Sequence, residues 1–135
     1  MPTISPVIVW HLDVSRIAAQ NPETAEGQTI LGLFDLVQLG EASQRREAAR
    51  TLWAKGFYQR VAQFEGSISE AFIATQNLNE PWHCWPCAGL TPEPGIASGR
   101  SSSLGDILER DSQMFLATGD GIETIGSLPD SALAA

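Results

Sequence analysis

The sequence contains few cysteines, few basic residues and no long apolar run, and each shortage excludes a class of protein. Two cysteines in 135 residues are too few for a disulfide-stabilised secreted scaffold. No apolar stretch approaches the roughly 20 residues that a membrane-spanning helix needs. The first residues have no basic region ahead of their short apolar stretch, so a secretory signal is not expected. The composition therefore predicts a soluble protein of a reducing cytoplasm.

Basic residues are scarce in the chain relative to acidic ones. Eight Lys and Arg face sixteen Asp and Glu, which gives a formal net charge of −8. Residues 41–63 carry five basic and two acidic residues, net +3, which leaves three basic and fourteen acidic residues, net −11, in the remainder. A chain this acidic is repelled by nucleic acid and by anionic membranes, and its natural partners carry positive patches. We therefore predict no direct binding to nucleic acid or membrane.

The N-terminal half predicts a strand, a short helix and a helical hairpin. The stretch VIVWHLDV is rich in β-branched and aromatic residues, which favours a strand, and either Asp13 or Ser15 can cap a short helix after it. Apolar residues at helical spacing within 23–40 predict a longer helix, with Gly40 as a C-terminal stop. Good helix formers in 41–55 predict its antiparallel neighbour.

The C-terminal half predicts a β-α-β-β-β unit. A strand is expected over residues 57–65, followed by a helix whose capping box is Ser67 and Glu70. Residues 79–103 hold four of the eight prolines and are predicted as a long loop. Three short strands should follow, with a two-residue turn at Asp120-Gly121 between the last pair. The expected strands are DILE, QMFLATG and GIETIG.

Together these elements predict one α+β domain. A strand and helical hairpin in residues 1–56 should pack beside a small, mostly antiparallel sheet with one crossing helix, built from residues 57–128. Residues 129–135 are expected to be a frayed tail.

The segment NEPWHCWPC holds both cysteines, and three interpretations of it remain open. Cys84 and Cys87 have the CxxC spacing of redox sites, but the residues after Cys87 do not predict the helix that activates the first thiol there. With His83 they have zinc-knuckle spacing, yet a structural zinc site needs four ligands. The favoured interpretation is that both thiols pack with Trp82 and Trp85 and anchor the loop, because free cysteine behaves as a small hydrophobe.

Two motifs in the C-terminal part carry a resemblance to known proteins. A T-N-x-x-x-x-P-W element is approximated by Thr75, Gln76, Asn77, Pro81 and Trp82, with Gln76 an extra or shifted residue. An R-S-x-S-x-G-D element is matched by Arg100, Ser101, Ser103, Gly105 and Asp106. With their flanking strands and helix, over residues 57–126, they resemble small accessory proteins of plasmids and phages. The resemblance implies a mobile-element origin beside anti-restriction and other anti-defence genes; it brings no activity, and that group does not typically carry the two cysteines.

The stretch GRSSSLGD has two interpretations. Serine and glycine near a helix start can cradle a phosphate, but the Walker lysine, the full glycine pattern and a preceding strand are missing. The favoured interpretation is a turn in which the Asp106 carboxylate caps the amides of residues 102–105. Arg100 would then hold a carboxylate rather than a phosphate.

Arg46 and Arg50 lie four residues apart on the second predicted helix. They fit a solvated helix face, or a contact surface for an acidic partner or for the acidic half of a second copy, as in a homodimer. Direct binding of nucleic acid is disfavoured by the net charge of −11 outside residues 41–63.

No group of residues predicts catalysis. The sequence has no Ser-x-x-Lys, Gly-x-Ser-x-Gly or metalloprotease motif, and His11 lies in the most apolar predicted strand, which is typical of a core histidine. We therefore predict a non-enzymatic binding protein without metal or cofactor. Alternatives are a CxxC protein with a redox or zinc-linked role, and a self-assembling structural protein that uses the opposite charges of its two parts.

The predicted partner is a host protein with a basic surface, such as a nuclease or DNA-binding complex of a defence system, inhibited in the host cytoplasm in an anti-restriction or anti-CRISPR manner. Candidate contact residues are Glu65, Glu70, Glu80, Trp82, Trp85, Glu93, Arg100, Asp106, Arg46 and Arg50.

Overall fold

The computed structural model describes residues 5–76, 89–93, 101–119 and 121–127. Within these ranges, four helices pack against one six-stranded sheet, and every strand pair in it is antiparallel. The elements in chain order are β1 (Val7–Leu12), α1 (Val14–Ala18), α2 (Ala25–Leu39), α3 (Ala42–Ala54), β2 (Tyr58–Phe64), α4 (Ile68–Ala74), β3 (Leu90–Pro92), β4 (Ile107–Arg110), β5 (Gln113–Thr118) and β6 (Gly121–Gly126). The predicted α+β class and the helical hairpin are confirmed.

The strand order is β3-β2-β1-β4-β5-β6, so the N-terminal strand lies in the interior of the sheet. Val7 and Val9 are fully buried against one face of the sheet, and Leu12 is buried against the other. A strand that is apolar on both faces is stable only where both faces are covered. The N-terminal strand β1 therefore belongs to the same sheet as the strands of the C-terminal unit. The helical hairpin packs on that shared sheet instead of beside a separate unit.

The expected loop 79–103 contains a short strand at one edge of the sheet. Thr91 pairs with Gln63, and Glu93 N donates to Val61 O at 2.9 Å. This corrects the prediction of an unbroken loop. Pro92 fits an edge strand because proline has no amide hydrogen for an outer neighbour.

Helices α1, α2 and α3 cover one face of the sheet. Their core includes Ile30, Val37 and Leu52, and Trp53 packs edge-on against Trp10 with ring centroids 4.7 Å apart. Thr24 caps α2 by accepting from Gly27 N, and Asp13, one of the two predicted caps of α1, accepts from Arg16 N. These capping hydrogen bonds stabilise the first turn of each helix and fix the residue at which it begins.

The ends of α2 and α3 both use glycine, for different reasons. Gly40 does end α2, but with an extended backbone (φ −72°) instead of the left-handed one that a terminal glycine suggests. A Cβ there would lie 2.6 Å from Leu36 O, so lack of space excludes a side chain. Gly56 after α3 does take the left-handed conformation, with φ +80°.

Helix α4 covers the opposite face, over Val7, Val9 and Leu108. The predicted capping box is present: Glu70 N donates to Ser67 Oγ, and Ser67 N donates to Glu70 Oε1, both at 3.1 Å. The sheet is therefore the middle layer of three.

The predicted two-residue turn at Asp120-Gly121 is wrong for Gly121. Thr118 pairs with Gly121, so Gly121 belongs to β6 instead of to the turn. The predicted frayed tail, 129–135, lies outside the described residues. Among the described helices, none has the length and apolarity needed to cross a membrane.

Candidate functional site

Four polar side chains of chemical interest meet inside the protein, and we call them the polar cluster: His11, Thr75, Ser102 and Asp106. Each is at most 4% exposed. His11 comes from β1, Thr75 ends α4, and the other two lie in the turn before β4. The cluster therefore joins one sheet face to the helix that covers it.

Ser102 lies at the centre of the polar cluster. Its Oγ is 2.8 Å from His11 Nε2 and 2.5 Å from Thr75 Oγ1. Asp106 Oδ2 is 3.8 Å from the same His11 nitrogen. Serine, histidine and aspartate together suggest nucleophilic catalysis, in which the carboxylate holds one ring nitrogen while the other takes the serine proton. Here serine and aspartate both face Nε2, which does not match that arrangement.

The directions of the hydroxyl hydrogens in the polar cluster also differ from those of a serine nucleophile whose proton is taken by histidine. Thr75 Oγ1 lies 2.9 Å from Ala71 O, and a carbonyl can only accept, so the threonine donates there. Thr75 must then accept from Ser102, whose single hydrogen is thereby used. Ser102 in turn accepts from His11 Nε2–H, which the nearby Asp106 carboxylate also favours. The serine proton points away from the histidine, so His11 serves as a core hydrogen-bond donor, as the sequence predicted.

Asp106 organises the turn that carries Ser102. Its Oδ2 accepts from Ser103 N at 2.7 Å, one of the four amides that it was predicted to cap, and its Oδ1 accepts from Leu12 N at 2.8 Å. Asp106 is 1% exposed. As a candidate contact residue it is therefore wrong, because a buried carboxylate that is bonded to two backbone amides does not reach a partner.

Four of the five backbone amides in the turn of residues 102–106 are bonded to groups of the protein and are not available to a phosphate. Ser102 N donates to Thr75 O, Gly105 N to Ala117 O, and Asp106 N to Ser103 O, in addition to the Ser103 cap. An anion cradle needs such amides unpaired and aimed at the ligand. The turn interpretation of GRSSSLGD thus holds for its described part.

Side chains from two further elements reach the same turn. Tyr58 Oη donates to Gly105 O at 2.7 Å, and Gln38 donates to Leu104 O. Gly105 has φ +94°, and a Cβ there would lie 2.9 Å from Gln38 Nε2. Any side chain at this position would be strained and crowded.

Arg46 and Arg50 are both exposed on α3, as a solvated helix face requires. Arg50 also reaches across to β6 and donates to Ile125 O. The residue that sequence reasoning missed is Arg45, which is 9% exposed and bonded to Glu123. Its signal was spacing, since Arg45 precedes the apolar residues of α3 at positions 48, 49 and 52 by three, four and seven.

The described acidic candidates differ in availability. Glu65 and Glu70 are exposed, and the Ser67 backbone N–H, followed by the Ser67 side chain, lowers the pKa of Glu70 below its usual 4.5. Glu93 is engaged by Arg60, with Nε 2.5 Å from Oε1. The candidates outside the described residues are Glu80, Trp82, His83, Cys84, Trp85, Cys87 and Arg100. Within the described ranges, no three His, Cys, Asp or Glu side chains are grouped to hold a metal ion.

Comparison of the chain with protein-family profiles, curated proteins and solved structures finds no match.

Proposed function

We propose that the chain is a non-enzymatic binding protein that presents an acidic surface to a basic macromolecular partner. The observation that carries the proposal is how the fold distributes its charges. Of the seven Lys and Arg in the described residues, five are held by groups of the protein itself. They are Arg16, Arg45, Arg50, Arg60 and Arg110.

The acidic side chains are more numerous and mostly exposed. Eight described carboxylates are exposed: Glu23, Glu26, Asp35, Glu41, Glu47, Glu65, Glu70 and Asp111. Five described basic side chains are also exposed, but Arg16, Arg50 and Arg60 among them are bonded to groups of the protein. Exposed carboxylates therefore outnumber exposed basic side chains by eight to five. Such a surface attracts basic patches over distances near the screening length, about 8–10 Å at moderate salt, and repels nucleic acid.

The polar cluster supports a binding role over catalysis. Its serine proton is committed to Thr75, and its members are buried within the structure. Its contribution is to the fold, because it ties β1, α4 and the 102–106 turn together.

The finer part of the proposal concerns the partner. We propose a host nuclease or DNA-binding protein of a defence system, inhibited when carboxylates of this chain occupy the groove that binds phosphates. The support is the net charge of −8 and the resemblance of residues 57–126 to mobile-element proteins. A basic groove that holds a polyanion is the complementary surface for a protein with this charge distribution.

The test is affinity purification of the tagged chain from a defence-competent host, with elution by increasing salt. A nuclease or DNA-binding protein should be retained near 0.1 M salt and released toward 1 M, because screening shortens from about 10 Å to about 3 Å. The Cys84→Ser/Cys87→Ser variant should retain the same partner. If no such partner is recovered, the proposal fails. If the double cysteine variant loses the partner, the role belongs to the cysteines instead.

A further inference from the structure

The outward surface of α2 has no partner among the described residues, and we call it the α2 outer face. Its members recur every three or four residues and are all exposed: Gln28, Thr29, Gly32, Asp35, Leu36 and Leu39. Leu39 is 86% exposed and Leu36 is 38% exposed. Buried positions such as Ile30 and Val37 lie on the other side, so this surface is separate from the core of the fold.

Gly32 at the middle of this face has no role within the described structure. No described heavy atom lies within 4 Å of the position that its Cβ would take, and its backbone is ordinary helix. Gly27 in the same helix is different, because a Cβ there would lie 1.7 Å from Asn21 O. Glycine inside a helix is unfavourable relative to alanine. The fold explains Gly27, whereas Gly32 offers an opening into which a group from outside can fit.

The charged residues of α2 and of the segments that flank it in sequence are all acidic, whereas the adjacent α3 exposes basic side chains. Residues 17–44 contain no Lys or Arg and four acids, Glu23, Glu26, Asp35 and Glu41, all exposed. A second copy that packed through its own α2 outer face would bring like charges together, which is unfavourable. A helix with basic residues around a bulky apolar stripe is complementary in both respects.

We propose that the α2 outer face docks a basic amphipathic helix. A large apolar side chain of that helix fills the space above Gly32 and contacts Leu36 and Leu39, while flanking Lys or Arg side chains pair with Asp35 and the neighbouring carboxylates. This is the recognition of an amphipathic helix by an apolar strip with charged margins. The inference rests on the proposed function and names the surface through which it would act.

The test uses a fluorescent peptide of about 18 residues, five helical turns, in which leucines form one face and lysines the other. Fluorescence anisotropy should show binding to the full chain that weakens with salt. Two control peptides, one with glutamate for lysine and one with the same residues scrambled, should bind at least about tenfold more weakly, a loss of about 1.4 kcal/mol.

Variants of the chain locate the surface. Leu39→Asp removes the apolar contact, and Gly32→Gln fills the opening without adding charge; each should weaken peptide binding about tenfold. Ile73→Asp is the matched control, because Ile73 is 64% exposed on α4, on the opposite face of the sheet. Unfolding midpoints of all variants check that each still folds.

Three outcomes would overturn this inference. Scrambled peptide that binds as tightly as the amphipathic one would show attraction by charge alone. An effect of Ile73→Asp equal to that of Leu39→Asp would remove the specificity for α2. A dimer in light scattering that Leu39→Asp dissociates would make a second copy the occupant.

The same variants separate this inference from the proposed function. If the wild-type chain and Gly32→Gln retain a basic host partner equally well, the surface is wrong and the binding function stands. If the wild-type chain retains no basic partner, the binding function fails, whatever the peptide shows.

Discussion

Arg45 and Glu123, 78 positions apart in the chain, form an ion pair with Nη2 and Oε2 2.9 Å apart. The pair joins α3 to β6, and Arg45 Nη1 also donates to Gly40 O at 2.8 Å. Arg50, one turn and a half further along α3, donates to Ile125 O in the same strand. Strand β6 is an edge of the sheet, so its outward polar groups would otherwise face water or another chain. Arg45 and Arg50 of α3 form hydrogen bonds with two groups of this strand, the Glu123 carboxylate and Ile125 O.

A double-mutant cycle on Arg45→Ala and Glu123→Ala should give a coupling free energy of about 1–2 kcal/mol in urea unfolding. The side chains are only 11% and 29% exposed, so water screens the pair incompletely. Arg60 and Glu93, at 42% and 29%, are the control, and their coupling should stay below about 1 kcal/mol. Equal coupling in the two cycles would contradict a special role for Arg45.

Gly32→Ala and Gly27→Ala should change stability in opposite directions. Alanine at position 32 meets no described atom and improves helix propensity, so the free energy of unfolding should rise by about 0.5–1 kcal/mol. Alanine at position 27 would collide with Asn21 O and crowd the Thr24 cap, so the free energy of unfolding of Gly27→Ala should fall by about 1–3 kcal/mol. Chemical denaturation measures both. A loss of stability in Gly32→Ala would mean that the position is not open in the folded protein.

Ser102→Ala should destabilise the fold by about 1–3 kcal/mol, because it leaves the His11 Nε2–H and Thr75 Oγ1 without their buried partner. Ser43→Ala, at an exposed position of α3, is the matched control and should stay within about 0.5 kcal/mol of wild type. Two equal values from thermal or urea unfolding would show that the polar cluster contributes nothing to stability.

Ser67→Ala should cost about 1 kcal/mol by removing the N-cap of α4, while Ser69→Ala in the same first turn should change little. The capping box also predicts a pH dependence. Because the pKa of Glu70 is lowered in the fold, its ionised form contributes stability above pH 4.5, and this contribution is lost as the pH falls through the lowered pKa.

Glu70→Gln tests that dependence. The difference in unfolding free energy between wild type and Glu70→Gln should be constant from pH 7 to about pH 5 and should then shrink toward pH 3. A difference that grows on acidification would reverse the sign of the effect and contradict the capping interaction.

Residues close together in sequence were the ones whose structure could be predicted. Ser67 with Glu70, Asp13 ahead of α1, and the alternating residues of the strands depend on groups within a few positions. Their hydrogen bonds form in any chain that adopts the local conformation. The turn at 102–106 belongs to the same class, since Asp106 caps Ser103 three residues away.

Contacts across the sheet could not be predicted in this way. His11 and Ser102 are 91 positions apart, and nothing near either residue specifies the other. The sequence predicted Asp106 as a cap of its own turn, but nothing near it in sequence indicated that its other oxygen accepts from Leu12 N in the neighbouring strand. Arg45 entered the sequence analysis only through the net charge of residues 41–63, although its spacing placed it on the buried side of α3.

By itself, the sequence determined the α+β class, the positions of the helices and most strands, and the excess of negative charge, because propensity, capping and composition are local or additive properties. Only the tertiary structure decided that β1 lies inside the sheet, that five of the seven described basic side chains bond to groups of the protein, and that Gly32 and Leu39 share a face left uncovered by the described residues. Those outcomes depend on which distant segments pack together, and that choice follows from the burial of the whole chain rather than from any one stretch of it.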